Sequence, residues 1–65
     1  MYRKYAELRD QRGMTDLQVA KATGIPQSTI YDWRHRSAKD EDASISIKYL
    51  SKIAKCLKVK IDRLV

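Results

Sequence analysis

Cysteine, histidine, proline and glycine are all scarce in this chain of 65 residues, which has one Cys, one His, one Pro and two Gly. A single cysteine, Cys56, excludes an internal disulfide, and it has no neighbour at metal-ligand spacing. With only His35 to add, the side chains for a metal centre are missing, and no cofactor is expected. Apolar residues never run beyond two or three together, and no charged-then-apolar leader opens the chain. Neither a signal peptide nor a membrane span is therefore expected, which points to a reducing, cytoplasmic compartment. Internal repeats, linkers and low-complexity tracts are absent as well. No Ser/His/Asp or Cys/His set, paired carboxylates or Gly-rich phosphate loop emerges, so an enzyme is not expected.

Acidic residues are the next shortage. Fourteen Lys and Arg stand against eight Asp and Glu, a formal net charge of +6. On a single small domain spanning 1–65, such a field favours a polyanionic partner, with nucleic acid first and an acidic membrane surface second. Excess charge also merely keeps proteins soluble, so position has to decide between these readings. A domain of this size buries roughly 60% of its unfolded surface and folds with little margin.

Spacing predicts an all-α chain of five helices. Residues 2–12 form the first, with Tyr5 and Leu8 inward, Ala6 and Arg9 beside them, and Gly13 as the stop. Thr15 is a good N-cap for a second helix over 16–23, and Asp16 suits its positive end. Val19 and Ala20 face inward there, with Leu17 near the same side, and Gly24 is a left-handed terminator. A third helix starts at Pro26 or Gln27, since proline fits the first helical turn. At 100° per residue, Pro26, Ile30 and Trp33 share one face, while Gln27, Ser28, Tyr31 and His35 lie opposite, flanked by Asp32 and Arg34. Residues 37–44 read as a polar loop with an acidic cluster. Ser46 caps a fourth helix to about Leu57, in which Ile47, Leu50, Ile53, Ala54 and Leu57 form an apolar stripe opposite Lys48, Lys52, Lys55 and Lys58. A last short helix over about 60–65 offers Ile61, Leu64 and Val65.

Two short helices meeting at Gly24–Pro26 are the pattern of a helix-turn-helix, here about 15–36. The ordered set Leu8-Arg9, Gly13-Met14-Thr15, Val19-Ala20, Gly24-Ile25, Ser28-Thr29-Ile30 and Trp33 resembles the phage-repressor/Cro-type family, also termed XRE-like or lambda-repressor-like. Ile53-Ala54, Leu57, Val59 and Ile61-Asp62-x-Leu64 extend the resemblance over nearly the whole chain. The resemblance implies a compact five-helix bundle that binds operator DNA, usually as a homodimer on a palindromic site, and acts as a bacterial or phage transcriptional regulator such as a repressor. It places the second helix over the DNA backbone and the third in the major groove. Carried over by position, Gln27, Ser28 and Tyr31 become the base-facing set, with Asp32 as a fourth candidate. A glutamine amide can pair with adenine N6 and N7, which suits Gln27 to base readout.

Two departures from the family stand out. The family often pairs an arginine in the first helix with a glutamate after the recognition-helix aromatic, but that glutamate position is Arg34. Arg9 is therefore expected to find another acid, Asp62 or Glu7, and Arg34 to turn toward phosphate. Pro26 also occupies a position often held by Ser or Thr, which puts one capping bond in doubt. The phosphate candidates are Lys21, Arg34, Arg36, Lys39 and Lys48, with the backbone N–H groups at Thr15 and Ser46.

Plainer readings stand beside these. Tyr31 would equally cover a hydrophobic edge, and Asp32 is expected to pair with Arg36 one turn later. Trp33 is read as core, His35 as a solvated helix-end residue, and Cys56 as a partly buried inert thiol. Lys52, Lys55 and Lys58 are read as a solvated face and not assigned to DNA. Ile61, Leu64 and Val65 would serve a dimer contact or simply close the core. The competing function is a protein-interaction module, such as an antitoxin-like or anti-repressor partner on the same scaffold.

Overall fold

Gly13 and Gly24 punctuate the first half of the chain, both at positive φ, +64° and +77°. A computed structural model describes residues 1–39 and 41–65, so Asp40, one member of the acidic cluster, lies outside the described residues. The helices are α1 (Tyr2–Gln11), α2 (Asp16–Thr23), α3 (Gln27–Ser37) and α4 (Ile47–Leu57), followed by a 3₁₀ turn, Ile61–Arg63. Among the described residues there is no strand. Four α-helices and a 3₁₀ turn replace the five helices expected. The final segment closes by i to i+3 bonds, with Arg63 N–H donating to Lys60 O at 3.0 Å and Leu64 N–H to Ile61 O at 2.8 Å.

The boundaries follow local chemistry. Behind α1, Gly13 N–H donates to Asp10 O and Met14 N–H to Arg9 O, so a left-handed residue satisfies carbonyls that a helix end leaves open. Thr15 and Gln18 then form a reciprocal capping box: Thr15 Oγ1 accepts from Gln18 N–H at 3.2 Å, and Gln18 Oε1 from Thr15 N–H at 2.9 Å. Pro26 precedes α3 at φ −56° with no side-chain capping bond, in line with the departure noted in the sequence. Ser46 likewise makes no side-chain cap for α4. Lys58 ends α4 at φ +56°, the one non-glycine residue described with positive φ.

Tyr5, Leu8, Val19, Ala20, Ile30, Trp33, Leu50, Ile53, Ala54, Leu57 and Leu64 are buried, as the periodicities predict, and Tyr2 and Ile25 join them. Cys56 is half-buried. Three expectations are corrected. The 37–44 segment is not simply polar, because Ala43 is fully buried and Ile45 beyond it nearly so. Tyr2 N–H donates to Ala43 O at 3.1 Å and Ala43 N–H to Ser37 Oγ at 2.9 Å, which draw this stretch onto α1 and α3. Ile47 is 74% exposed and drops out of the α4 stripe, while Ile45, outside the helix, is buried. Leu17 is 44% exposed rather than inward.

α1 and α2 each pack against both α3 and α4. Between α3 and α4, Trp33 meets Tyr49 edge-on with ring centroids 6.0 Å apart. Two arginines, Arg3 of α1 and Arg12 at its C-cap, hold the ends of the other helices. Arg3 donates to Ser37 O and Lys39 O behind α3, and Arg12 Nε donates to Leu57 O at 2.7 Å behind α4. A cation at helix C-terminal carbonyls pairs with the negative end of the dipole. No described helix is long and apolar enough to cross a membrane.

Candidate nucleic-acid interface

Ile30 and Trp33 anchor α3 from below, both buried, which turns Gln27, Ser28, Tyr31, Asp32, Arg34, His35 and Arg36 to the outside. Tyr31 is 66% exposed. Gln27, Tyr31 and Arg34 meet Thr15, Asp16 and Leu17 of α2 around a groove of about 270 Å³. The helix-turn-helix corner thus brings the start of α2 beside the outward face of α3. Asp32 Oδ2 lies 3.2 Å from Arg36 Nε one turn on, the pairing read from the sequence.

The remaining candidates are spread more widely. Lys21, Lys39 and Lys48 are exposed but lie outside this groove, on α2, behind α3 and in the first turn of α4. Thr15 sits on the groove, yet its backbone N–H is already given to Gln18. The donors that the capping box leaves open at this helix start are the N–H groups of Asp16 and Leu17.

Behind the groove stands an ion-pair network that sequence reasoning missed. Arg9 does not reach Asp62 or Glu7, which instead border a groove with Lys4, Leu8, Gln11 and Arg63. Its Nη1 lies 2.7 Å from Asp16 Oδ1, and its Nη2 2.8 Å from Asp10 Oδ1. Asp16 also accepts from Tyr5 Oη at 2.6 Å and from Tyr2 Oη at 3.0 Å. Tyr2 and Tyr5 are one turn apart on the helix and Arg9 is one turn further, so three donors of α1 converge on one carboxylate of α2. That spacing is visible in the sequence, where Asp16 otherwise reads only as complementing the positive end of α2.

Electrostatics follow from the geometry. Burial pushes the Asp16 carboxyl up, but hydrogen bonds from Tyr5, Arg9 and Tyr2 outweigh it and hold the group below its ordinary value of 3.8. Burial, reinforced by donation to Asp16, drives the Tyr5 hydroxyl well above the usual tyrosine range, and burial raises Tyr2 likewise. Burial works against the charge on Arg9, yet its bonds to Asp16, Asp10 and Tyr2 keep it protonated. The positive charge of Arg9 is therefore spent inside the fold. Arg34 borders the same region, on a second groove lined by Arg9, Asp10, Met14, Thr15 and Asp16, but forms no ion pair among the described residues. With two acids already held by Arg9, Arg34 presents its guanidinium outward.

Among the described residues, no three His, Cys, Asp or Glu side chains gather as a metal site would require. A family model described as helix-turn-helix matches residues 6–64. No curated protein and no solved structure matches the chain.

Proposed function

The chain belongs to the helix-turn-helix family of Cro/repressor-type, or XRE-type, domains, and from that premise we propose that it reads a specific duplex DNA sequence as a transcriptional repressor. Membership brings DNA binding and transcription regulation with it. The placement of α3 in the major groove is our reading. One observation carries it: the outward face of α3 is wholly polar apart from the Tyr31 ring, while Ile30 and Trp33 fix that helix from behind.

Gln27 and Ser28 lead at the start of α3 and Tyr31 follows one turn later, and these three are the base-reading set. Gln27 pairs with adenine, and Tyr31 meets a thymine methyl or a phosphate. Asp32, engaged by Arg36, stands at the edge of the set. Arg34, Arg36, Lys21, Lys39 and Lys48 contact phosphates, and the open N–H groups at the start of α2 add to them. Two copies on a palindromic operator would set their recognition helices about 34 Å apart. Of the residues considered for that contact, Leu64 is fully buried and closes the core, while Val65 is 53% exposed and Ile61 half-buried. A DNA-bound repressor is a cytoplasmic, nucleoid-associated protein.

Selection from a random duplex pool tests the reading and yields the operator. On the selected duplex Gln27→Ala should lose roughly ten-fold or more in affinity, a bidentate base pairing being worth about 1–3 kcal/mol, with little change on random duplex. Arg36→Ala should weaken both duplexes alike and make the salt slope shallower by about 1. Equal losses on both duplexes for Gln27→Ala would remove it from base readout. A pool that enriches nothing, even at low ionic strength, would leave the protein-interaction reading in place.

A further inference from the structure

The positive charge of this domain is not concentrated on its recognition helix. Residues 43–61 hold five of the fourteen Lys and Arg and none of the eight Asp and Glu. The rest of the chain is nearly balanced, nine against eight. All five, Lys48, Lys52, Lys55, Lys58 and Lys60, are exposed, and none pairs with an acid among the described residues. On α4 the first three fall within one narrow row, directly opposite the buried Leu50, Ile53, Ala54 and Leu57. That buried face packs on α1 and α2, so the row lies on the opposite, solvent side of α4. Lys48, in the first turn, is the member nearest the loop that follows α3, and Lys52 and Lys55 lie about 6 and 10 Å further along.

We propose that Lys52, Lys55, Lys58 and Lys60 form a second, sequence-independent surface that binds a separate DNA duplex, so that one molecule bridges its operator to another segment. The choice of DNA as occupant rests on the reading given above. The chemistry of the row supports it. Lysines are mobile point charges suited to phosphates at no fixed register, and releasing counterions from a duplex drives such binding. A protein partner would be gripped by aromatic or arginine anchors, which this row lacks, and lysine is depleted in such interfaces. Insertion into a membrane surface needs a free apolar helix face, but the apolar face of α4 is used up in the core.

Beads carrying the selected operator duplex would be loaded with protein and offered a fluorescent random duplex at low salt, with Lys52→Glu/Lys55→Glu compared with the parent. The parent should capture the second duplex, and raising salt from about 50 to 200 mM should cut capture roughly a hundred-fold if four phosphates are neutralised. The variant, its fold checked by circular dichroism, should bind the operator within about two-fold of the parent yet lose ten-fold or more of the capture. Capture absent in the parent, or undiminished in the variant, overturns the proposal. So does equal loss of operator binding and capture, which would put the row on the flank of the same duplex. Binding of the parent's row to vesicles containing anionic lipid, without capture of a second duplex, also overturns it. Beads carrying random duplex separate the two readings, since capture between random duplexes would persist even if no operator exists.

Discussion

Asp16 accepts hydrogen bonds from Tyr2, Tyr5 and Arg9 while occupying the first position of α2, so it fixes where the second helix sits on the first. That placement sets the groove in which Gln27 and Tyr31 face the start of α2. Because its folded pKa lies below 3.8, its contribution to stability is fully present above the ordinary carboxylate range and lost as pH falls through the folded value. Asp16→Asn should lower the unfolding free energy at neutral pH by about 2 kcal/mol, the scale of a lost charge-assisted bond that leaves Arg9 half-paired. As pH drops from about 5 toward 2, the parent should lose its advantage until the two proteins unfold alike. Urea unfolding across that range measures the gap, and a difference that persisted at acid pH would mean the charge on Asp16 is not what stabilises the junction. Arg34 gains from the same arrangement. Two acids already satisfy Arg9, so Arg34 keeps its charge for the outside.

Helix ends show two opposite treatments of the left-handed conformation. Gly24, at φ +77°, closes α2 with its N–H donating to Ala20 O at 2.9 Å, and a methyl added there would meet nothing within 4 Å. Gly24→Ala should therefore cost only the backbone strain, about 1 kcal/mol, in urea unfolding. Lys58 adopts φ +56° with a side chain that disfavours it, so Lys58→Gly should raise stability by a similar amount. If both changes moved stability the same way, backbone strain would not be the governing term. These punctuation residues are also why the first three helices were legible in the sequence to within a residue or so: Gly13, Thr15, Gly24 and Pro26 act locally and need no tertiary context. Ala43 and Ile45 were not legible, because they lie outside any helix and so carry no periodicity. Ala43 is held by a bond from Tyr2 N–H and by its own N–H donating to Ser37 Oγ, and Ile45 N–H donates to Met1 Sδ. For Ile47 the reason is converse: an apolar residue at a helix start fits the stripe on a wheel, although in the fold it is exposed. On the candidate interface, the outward face of α3 was legible from the positions of Ile30 and Trp33. The partner of Arg9 was not, because a salt bridge between two helices depends on how they cross.

At the scale of the molecule, α1 and its C-cap act as a clamp: Arg3 holds the end of α3, Arg12 the end of α4, and Arg9 the start of α2. The other elements thus depend on one helix, so unfolding should be a single cooperative step with a modest free energy for so short a chain. A ligand that binds only the folded form then shows up directly in thermal stability. Selected operator duplex at a hundred times its dissociation constant adds about 2.7 kcal/mol. For a domain of this size that corresponds to a rise in Tm of roughly 10–20 °C. Random duplex should give a comparable rise only at low salt, since its binding is carried by phosphate contacts and counterion release. Near 200 mM salt the random-duplex shift should vanish while the operator shift remains. Scanning calorimetry with each duplex measures both, and shifts that fell in parallel with salt would mean that α3 contributes charge but reads no sequence.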